Sequence, residues 1–328
     1  MNQSKEMNAV VCTAYGEPDV LQMQTVQKPM PKDDEVLIRN HATVATAASL
    51  NGRKGTPAFI RLFTGIRAPK RNILGQEIVG IVEAVGKDIK AFQVGDHVMA
   101  MTSLSMGAYA EYVCVAETDA LAHKPANMSF EDAVAIIEGG LTAINFLKNQ
   151  AQLKRGQCVL VYGASGSVGT ASIQIAKHFG AEVTGVCSSR NVELVQSLGA
   201  DHVIDYTKED FTKNGKSYDV IFDTVGKRSY WQCRSSLTDN GVYLDAAGLG
   251  TVLAMLLTRF SSKKAILSAT YMRSKSDVAQ DLRLLKEIAE KGNIQAVIDK
   301  RFPLAEMAQA HRYVETGRKR GNLVVNIA

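Results

Sequence analysis

Residues 159–169, VLVYGASGSVG, constrain this chain more than any other stretch. The apolar run 159–162 feeds straight into Gly163, Gly166 and Gly169. A helical pattern follows over 170–179, with Ile173, Ile175 and Ala176 among its apolar positions. Strand, glycine turn and helix in that order present backbone N–H groups and a helix N-terminus to a phosphate. Any side chain would block the tight turn or the ligand's approach. The spacing is G-x-x-G-x-x-G rather than G-x-G-x-x-G, and a tight strand-to-helix turn favours glycine even where nothing binds. Gly163, Ala164, Ser165, Gly166, Ser167, Val168 and Gly169 are therefore candidate pyrophosphate contacts whose meaning depends on their surroundings.

The surroundings are alternating strands and helices. Strands are expected at 158–162, 182–187, 202–205, 220–222, 241–245 and near 265–269, with helices at 170–179, 190–198 and about 230–237. Almost wholly apolar strands between helices mean a parallel sheet covered on both faces. Six of them led by a glycine turn predict the doubly wound α/β dinucleotide fold. Upstream, residues 7–125 read as short apolar runs between glycine and proline turns, a barrel-like or sandwich β domain. Ser129 reads as a helix cap followed by Glu131 and Asp132, with helical stretches at 133–137 and 142–149. Downstream, 277–291 is an amphipathic helix carrying Leu282, Leu285 and Ile288, stopped by Gly292. Strand texture returns at 297–298 and 323–327 around a helix at 304–315, so the last strand is expected to rejoin the first domain.

The 328 residues suffice for two domains. A net charge of +5 is spread thinly, and the basic stretches KRNIL and GRKRGN lack interleaved aromatics. That argues against nucleic acid and suits an anionic cofactor. Residues 51–72 mix Arg53, Lys54, Arg61, Arg67, Lys70 and Arg71 with Phe59, Ile60, Leu62 and Phe63, without a strand period. They read either as a surface helix or loop, or as a mobile wall of a substrate cleft. Five cysteines, an odd number with no C-x-x-C pair, read as free thiols in a reducing compartment. The polar N-terminus has no signal-peptide core, and the apolar run 248–257 is too short to span a bilayer. A cytoplasmic protein without a membrane partner is the expectation.

Several motifs now stand in order: YGEPDVLQ at 15–22, LGQEIVGIVEAVG at 74–86, VGDHV at 94–98, GAYAEYVCV at 107–115, KPANMSFEDAVAI at 124–136, GGLTA at 139–143, GASGSVG at 163–169, LGADHVIDY at 198–206 and FDTVG at 222–226. Across essentially its whole length the chain resembles the medium-chain dehydrogenase/reductase superfamily. Within it, the chain is similar to the zinc-free quinone oxidoreductases and the enone (alkenal/one) reductases. The resemblance implies a GroES-like β-barrel domain, residues 1–128 plus 298–328, into which a Rossmann domain, 129–297, is inserted. It also implies a cofactor between them and a homodimer paired along the Rossmann sheet edge near 265–269.

Zinc-dependent relatives hold their metal with a cysteine, the histidine of a G-H-E triplet, and a later cysteine or acid. Here the triplet is Gly75-Gln76-Glu77, residues 44–49 have no thiol, and the four-cysteine structural loop is missing. An amide is a poor zinc ligand, so no metal is expected. Glu77 reads as a structural residue.

The second strand of the nucleotide domain ends Ser188-Ser189-Arg190, with no carboxylate to bind a ribose 2′-hydroxyl. Two hydroxyls and a guanidinium suit a 2′-phosphate, which favours NADPH. The same residues also read as a plain helix cap beside a solvated arginine. The resemblance implies that Tyr206 lies beside the adenosine, Thr142 near the nicotinamide, and Thr224, Val225, Ala247 and Gly248 along the ribose and nicotinamide.

Without zinc an alcohol lacks its Lewis acid, whereas a quinone or an enone β-carbon accepts hydride and spreads the charge itself. The expected activity is an NADPH-dependent quinone/enone oxidoreductase. No obligatory acid emerges; His41, Tyr109 and Tyr271 are candidates that read equally as packed or surface residues. Leu50, Phe59, Phe63 and Leu249, within 59–63 and 249–256, are candidate apolar walls for the substrate. A zinc alcohol dehydrogenase and a non-catalytic NADPH-binding sensor or assembly protein are the alternatives.

Overall fold

A computed structural model describes residues 5–56, 58, 61–246, 250–268 and 273–327. They form two compact units. The first comprises Met1–Ile137, Ser274–Glu290 and Ala296–Ala328, and the second Glu138–Arg273 with Lys291–Gln295.

In the first unit the strands are β1 (Glu6–Cys12), β2 (Leu21–Gln27), β3 (Glu35–Val44), β4 (Glu77–Val85), β5 (His97–Met101), β6 (Tyr112–Ala116) and β7 (Ala120–His123). The second unit supplies β8 (Cys158–Tyr162), β9 (Glu182–Cys187), β10 (His202–Asp205), β11 (Tyr218–Asp223), β12 (Leu237–Asp245) and β13 (Lys264–Leu267). The chain then returns to the first unit with β14 (Ile298–Pro303) and β15 (Asn322–Asn326).

Among the described residues of the first unit, β1 and β2 form an antiparallel hairpin, and a larger sheet runs β14-β15-β3-β4-β5-β7 with β6 also on β3. β15 lies antiparallel to β3, with Val324 opposite Val44, so the last strand does rejoin the first unit. Sequence texture divides the chain at 128/129 and 297/298. The compact units divide after Ile137, and helix Lys275–Glu290 goes with the first. Its contacts explain this: Asn127 Nδ2 donates to Ala289 O at 2.9 Å, and Lys275 pairs with Asp119.

The second unit is a parallel sheet in the order β10-β9-β8-β11-β12-β13. Chain order runs outward in both directions from the β8–β11 pair. In a doubly wound sheet, that point of reversal leaves a crevice at the carboxyl ends of the strands. The first turn out of β8 is the glycine turn.

The sequence reads as two helical stretches here, at 133–137 and 142–149. Instead one helix, Phe130–Ala143, runs on into a π-helix, Ile144–Gln150. A Cβ on Gly139 would come within 2.6 Å of Ser167 O, so this glycine permits close packing of two backbones rather than a turn. Ser129 caps the helix as expected, accepting from Asp132 N at 3.0 Å.

Candidate nucleotide-binding site

The three loop glycines have different reasons to be glycine. Gly163 sits at φ +82°, in the left-handed region, and a Cβ there would meet Thr224 Oγ1 at 2.7 Å and Val225 Cγ1 at 2.8 Å. Gly169 lies inside helix Ser167–His178, where a Cβ would come within 2.2 Å of Gly163 O. Gly166 is the exception. Its backbone is extended, at φ −83° and ψ 179°, and the nearest atom a Cβ would meet is Gly163 O at 3.6 Å. Neither strain nor packing requires glycine at this position. Gly166 precedes a twelve-residue helix whose N-terminus no side chain caps. The space a side chain would fill lies before an uncapped helix N-terminus, where the dipole and first-turn N–H groups favour an anion. The residues present fit a pyrophosphate.

The end of β11 is tied to this turn. Thr224 Oγ1 donates to Tyr162 O at 2.8 Å. Asp223 is fully buried and folds the 222–226 loop around itself: its carboxylate accepts from the backbone N–H of Val225 and Gly226 at 2.9 Å and of Arg228 at 2.7 Å. Burial pushes its pKa up, against those three donors.

The end of β9 is tied to it as well. The buried Asn191 donates through Nδ2 to Ser165 Oγ at 2.9 Å in the glycine turn and to Ser188 Oγ at 3.3 Å. No sequence motif marks Asn191 as that bridge. Beyond it the structure departs from expectation. Ser188-Ser189-Arg190 ends its strand without a carboxylate of its own, but β10 delivers one. Ser189 Oγ donates to Asp205 Oδ2 at 2.5 Å, and Thr207 donates to Asp205 Oδ1 through its hydroxyl at 2.7 Å and its N–H at 3.0 Å. These hydroxyls, Ser189 first, hold the Asp205 carboxyl down to about 2, so it is ionised. Parallel neighbours in register explain the meeting: Asp205 pairs with Cys187 at the ends of β10 and β9. The only hint in the sequence is the D-x-T spacing of Asp205 and Thr207, an Asx-type turn. Lys208 Nζ stands 3.5 Å from Asp205. Ser189, Arg190, Glu193, Asp205, Lys208 and Glu209 line a shallow depression of about 500 Å³, so three carboxylates and two cations share it. Tyr206 is exposed beside it.

Thr142 is half-buried on the last turn of helix Phe130–Ala143. Ala247, Gly248, Leu249, Phe59 and Tyr271, with the side chain of Phe63, lie outside the described residues. Leu50 is half-buried and packs on a core of the first unit that contains Cys12, Leu74 and Tyr109. Tyr109 is itself fully buried, 3.0 Å from His311 Nε2, which makes it a packed residue. His41 stacks on Phe130 with centroids 4.4 Å apart, and burial lowers its pKa.

The Gly75-Gln76-Glu77 corner does not fit a metal. Gln76 Nε2 donates to Ser103 O at 2.7 Å, so its amide serves as a hydrogen-bond donor. Thr46 and Ser49 satisfy one another as the capping box of helix Ala47–Lys54. Glu77 is buried at the start of β4. Among the described residues, no three His, Cys, Asp or Glu side chains are placed to share a metal ion.

The alcohol dehydrogenase GroES-like domain family matches residues 32–126, and the zinc-binding dehydrogenase family matches residues 198–325. A quinone oxidoreductase of Pseudomonas aeruginosa is 31% identical over 95% of this chain and 97% of its own. The chloroplastic NADPH-dependent alkenal/one oxidoreductase of Arabidopsis thaliana is 33% identical over 98% of this chain and 80% of its own. Among solved structures, the quinone oxidoreductase of Coxiella burnetii superposes with a TM-score of 0.87 at 28% identity, covering 99% of this chain and 100% of that one. The chain is an oxidoreductase of the medium-chain dehydrogenase/reductase superfamily, in the branch that holds the quinone oxidoreductases and the alkenal/one oxidoreductases.

Proposed function

We propose that this chain is an NADPH-dependent, zinc-independent reductase that delivers hydride to a quinone or to the β-carbon of an α,β-unsaturated carbonyl. One observation carries the reading furthest: Gly166 is a glycine that the protein's own packing does not need, placed before an uncapped helix N-terminus. The acceptor class is supported by the relatives named above and by the donor chemistry at Gln76. Where an amide replaces a metal-binding imidazole, acceptors that delocalise their own negative charge are the ones that need no Lewis acid.

When bound, the nicotinamide supplies the hydride. The chain's own residues do the rest of the work. The amides of Gly163, Ala164 and Gly166 are taken by Val186 O and Gly163 O, so those that open helix Ser167–His178 would hold the pyrophosphate, and Asn191 locks the turn to the ribose corner. Arg190 and Lys208 are the cations lining the depression where a 2′-phosphate would sit, and Tyr206 offers a flat face to the adenosine. Asp205 opposes the phosphate electrostatically, so the preference for NADPH rests on the two cations rather than on Ser189, whose hydroxyl already donates to Asp205. Thr142, Thr224 and Val225 serve the nicotinamide half. Proton return comes from water. Five free cysteines support a reducing, cytoplasmic setting, and β13 at the end of its sheet order supports a homodimer paired along that edge.

The test is NADPH oxidation followed with a panel of quinones and enones, alongside a binding titration. Turnover of conjugated acceptors and none of simple alcohols is the expected result. Tight NADPH binding without turnover of any acceptor would replace this reading with a sensor or assembly role. Stoichiometric zinc in protein purified without chelator or affinity tag would replace it with a zinc alcohol dehydrogenase.

A further inference from the structure

Helix Phe130–Ala143 and the π-helix Ile144–Gln150 that continues it carry few polar side chains where they enter the second unit. Residues 138–147, EGGLTAINFL, hold three: Glu138, Thr142 and Asn145. At about 100° per residue these fall within about 60° of one another, on one face. Glu138 and Thr142 are half-buried, and every other residue of 138–147 is buried. This stretch therefore meets open space along that face.

The polar stripe is pinned at both ends. Glu138 Oε2 accepts from Ser167 Oγ at 3.1 Å. Ser167 is the first residue of helix Ser167–His178, and helical side chains lean toward the N-terminus. The carboxylate thus lies beside the pole that would hold a pyrophosphate. Seven residues on, Asn145 is fully buried, and its Nδ2 donates to Ser268 Oγ at 3.1 Å. Ser268 is half-buried and follows β13 directly. Its hydroxyl turns inward to Asn145 at the carboxyl end of the strand, not outward along the sheet edge. Asn145 Oδ1 has no hydrogen-bond partner. The π-helix, a rare conformation that recurs at functional sites, begins at the same place.

Stability asks for neither end. A carboxylate beside an anion site works against the anion, and a buried amide oxygen without a donor works against the fold. A ligand lying along the stripe explains both. Positions 138 and 145 are about 10 Å apart along the helix, the length of one ribose with one pyridine ring. A carboxylate accepts from several donors at once, so Ser167 and two sugar hydroxyls can share Glu138. At the far end Asn145 Oδ1 is an acceptor and the Ser268 O–H a donor, which is what a primary carboxamide requires. A nicotinamide nucleotide presents these groups in this order: pyrophosphate, vicinal ribose hydroxyls, carboxamide. We infer that Glu138 binds the hydroxyls of the nicotinamide ribose and that the Asn145–Ser268 pair binds the carboxamide, so that the stripe sets the distance of the nicotinamide from the pyrophosphate turn. This rests on the nicotinamide-cofactor reading above and names residues for its reactive half.

The test is fluorescence titration of the full chain with NADPH, NADH, the 3-acetylpyridine analogue of NADH, and adenosine 2′,5′-bisphosphate, which has neither the nicotinamide nor its ribose. Glu138→Gln should weaken NADPH and NADH about fivefold each and leave the bisphosphate unchanged. The wild type should bind NADH about fivefold more tightly than the analogue, whose methyl ketone lacks the carboxamide N–H. Asn145→Leu should weaken NADH about fivefold and bind the two alike. Ser268→Ala, which leaves Asn145 in place, should weaken NADH and the analogue equally, because both keep the carbonyl. Stronger dinucleotide binding by Glu138→Gln would mean that the carboxylate only repels phosphate, and overturns the inference. Variants that bind NADH as the wild type does overturn it, as does an Asn145→Leu variant that keeps the preference over the analogue. Loss of the bisphosphate in step with NADH, or a lowered thermal midpoint in all three variants, assigns these residues to the fold and overturns it too. A failure of the cofactor reading shows in the wild type, which would then bind neither dinucleotide, and takes this inference with it; a failure of this inference alone shows in the ratios of variant to wild type.

Discussion

The pyrophosphate turn and the ribose corner lie at the carboxyl ends of neighbouring strands of one sheet, yet they are built differently. At the turn, the residues that would face a phosphate come from one continuous stretch, with a left-handed Gly163, a close backbone approach at Gly169 and an empty place at Gly166, while Thr224, Val225, Val186 and Asn191 brace it from neighbouring strands. At the corner, the local stretch Ser188-Ser189-Arg190 suggests a phosphate site, but its electrostatics are changed by Asp205, sixteen residues beyond Ser189. A turn that positions backbone amides takes its ligand-facing groups from one stretch even where distant residues brace it. A site that discriminates by charge depends on every charged group the fold brings near it, because Coulomb interactions do not respect sequence distance.

The largest effects should separate the two roles of glycine within the turn. Gly169→Ala should destabilise the protein by about 3 kcal/mol, since backbone cannot give way to a Cβ as a flexible side chain can. Gly166→Val should leave the thermal midpoint nearly unchanged while weakening NADPH and NADH alike by about a hundredfold, the loss of two charge-assisted backbone contacts. If both variants unfold, or if Gly166→Val binds normally, the distinction between fold-required and ligand-required glycine fails.

The corner should respond more gently and with cofactor preference. Arg190→Ala should weaken NADPH about tenfold more than NADH, the value of one charge-assisted contact to the 2′-phosphate. Equal losses for the two cofactors, measured by fluorescence titration, would remove Arg190 from that role. Asn191→Ala joins the two regions and should therefore weaken both cofactors equally, by about fivefold, with about 1 kcal/mol of lost stability. A loss confined to NADPH would show that Asn191 serves the corner alone. Asp205→Asn is the smallest and most informative change. Removing a carboxylate beside the 2′-phosphate should improve NADPH binding about threefold relative to NADH. A loss instead would mean that Asp205 matters more for holding Ser189 and Thr207 than for repelling phosphate.

Much of the molecule was legible beforehand. Alternating apolar strands and helices announced the parallel sheet, and the return of residues 322–326 to β3 follows from the strand texture at the C-terminus. The stretches expected at 133–137 and 142–149 are instead one helix, Phe130–Ala143, running into a π-helix, because Gly139 in the gap between them admits a neighbouring backbone rather than ending a helix. Arg53 could not have been foreseen either. It reads as one of six scattered cations in 51–72, yet it is fully buried, donating to Gly16 O at 2.6 Å and paired with Glu315. Glu315 lies 262 residues further along the chain, and only the fold brings the two together.

Sequence alone determined the sheet type, the place of the phosphate turn, and the replacement of a metal-binding imidazole by Gln76, because each depends on residue type and spacing within a few turns of chain. Tertiary structure decided which loop glycine is open to a ligand, that Asp205 stands against Ser189, and that Glu138 meets Ser167 while Asn145 meets Ser268. Each of these is set by distances between residues far apart in the chain. Burial and charge are properties of the folded neighbourhood, not of the residue that experiences them.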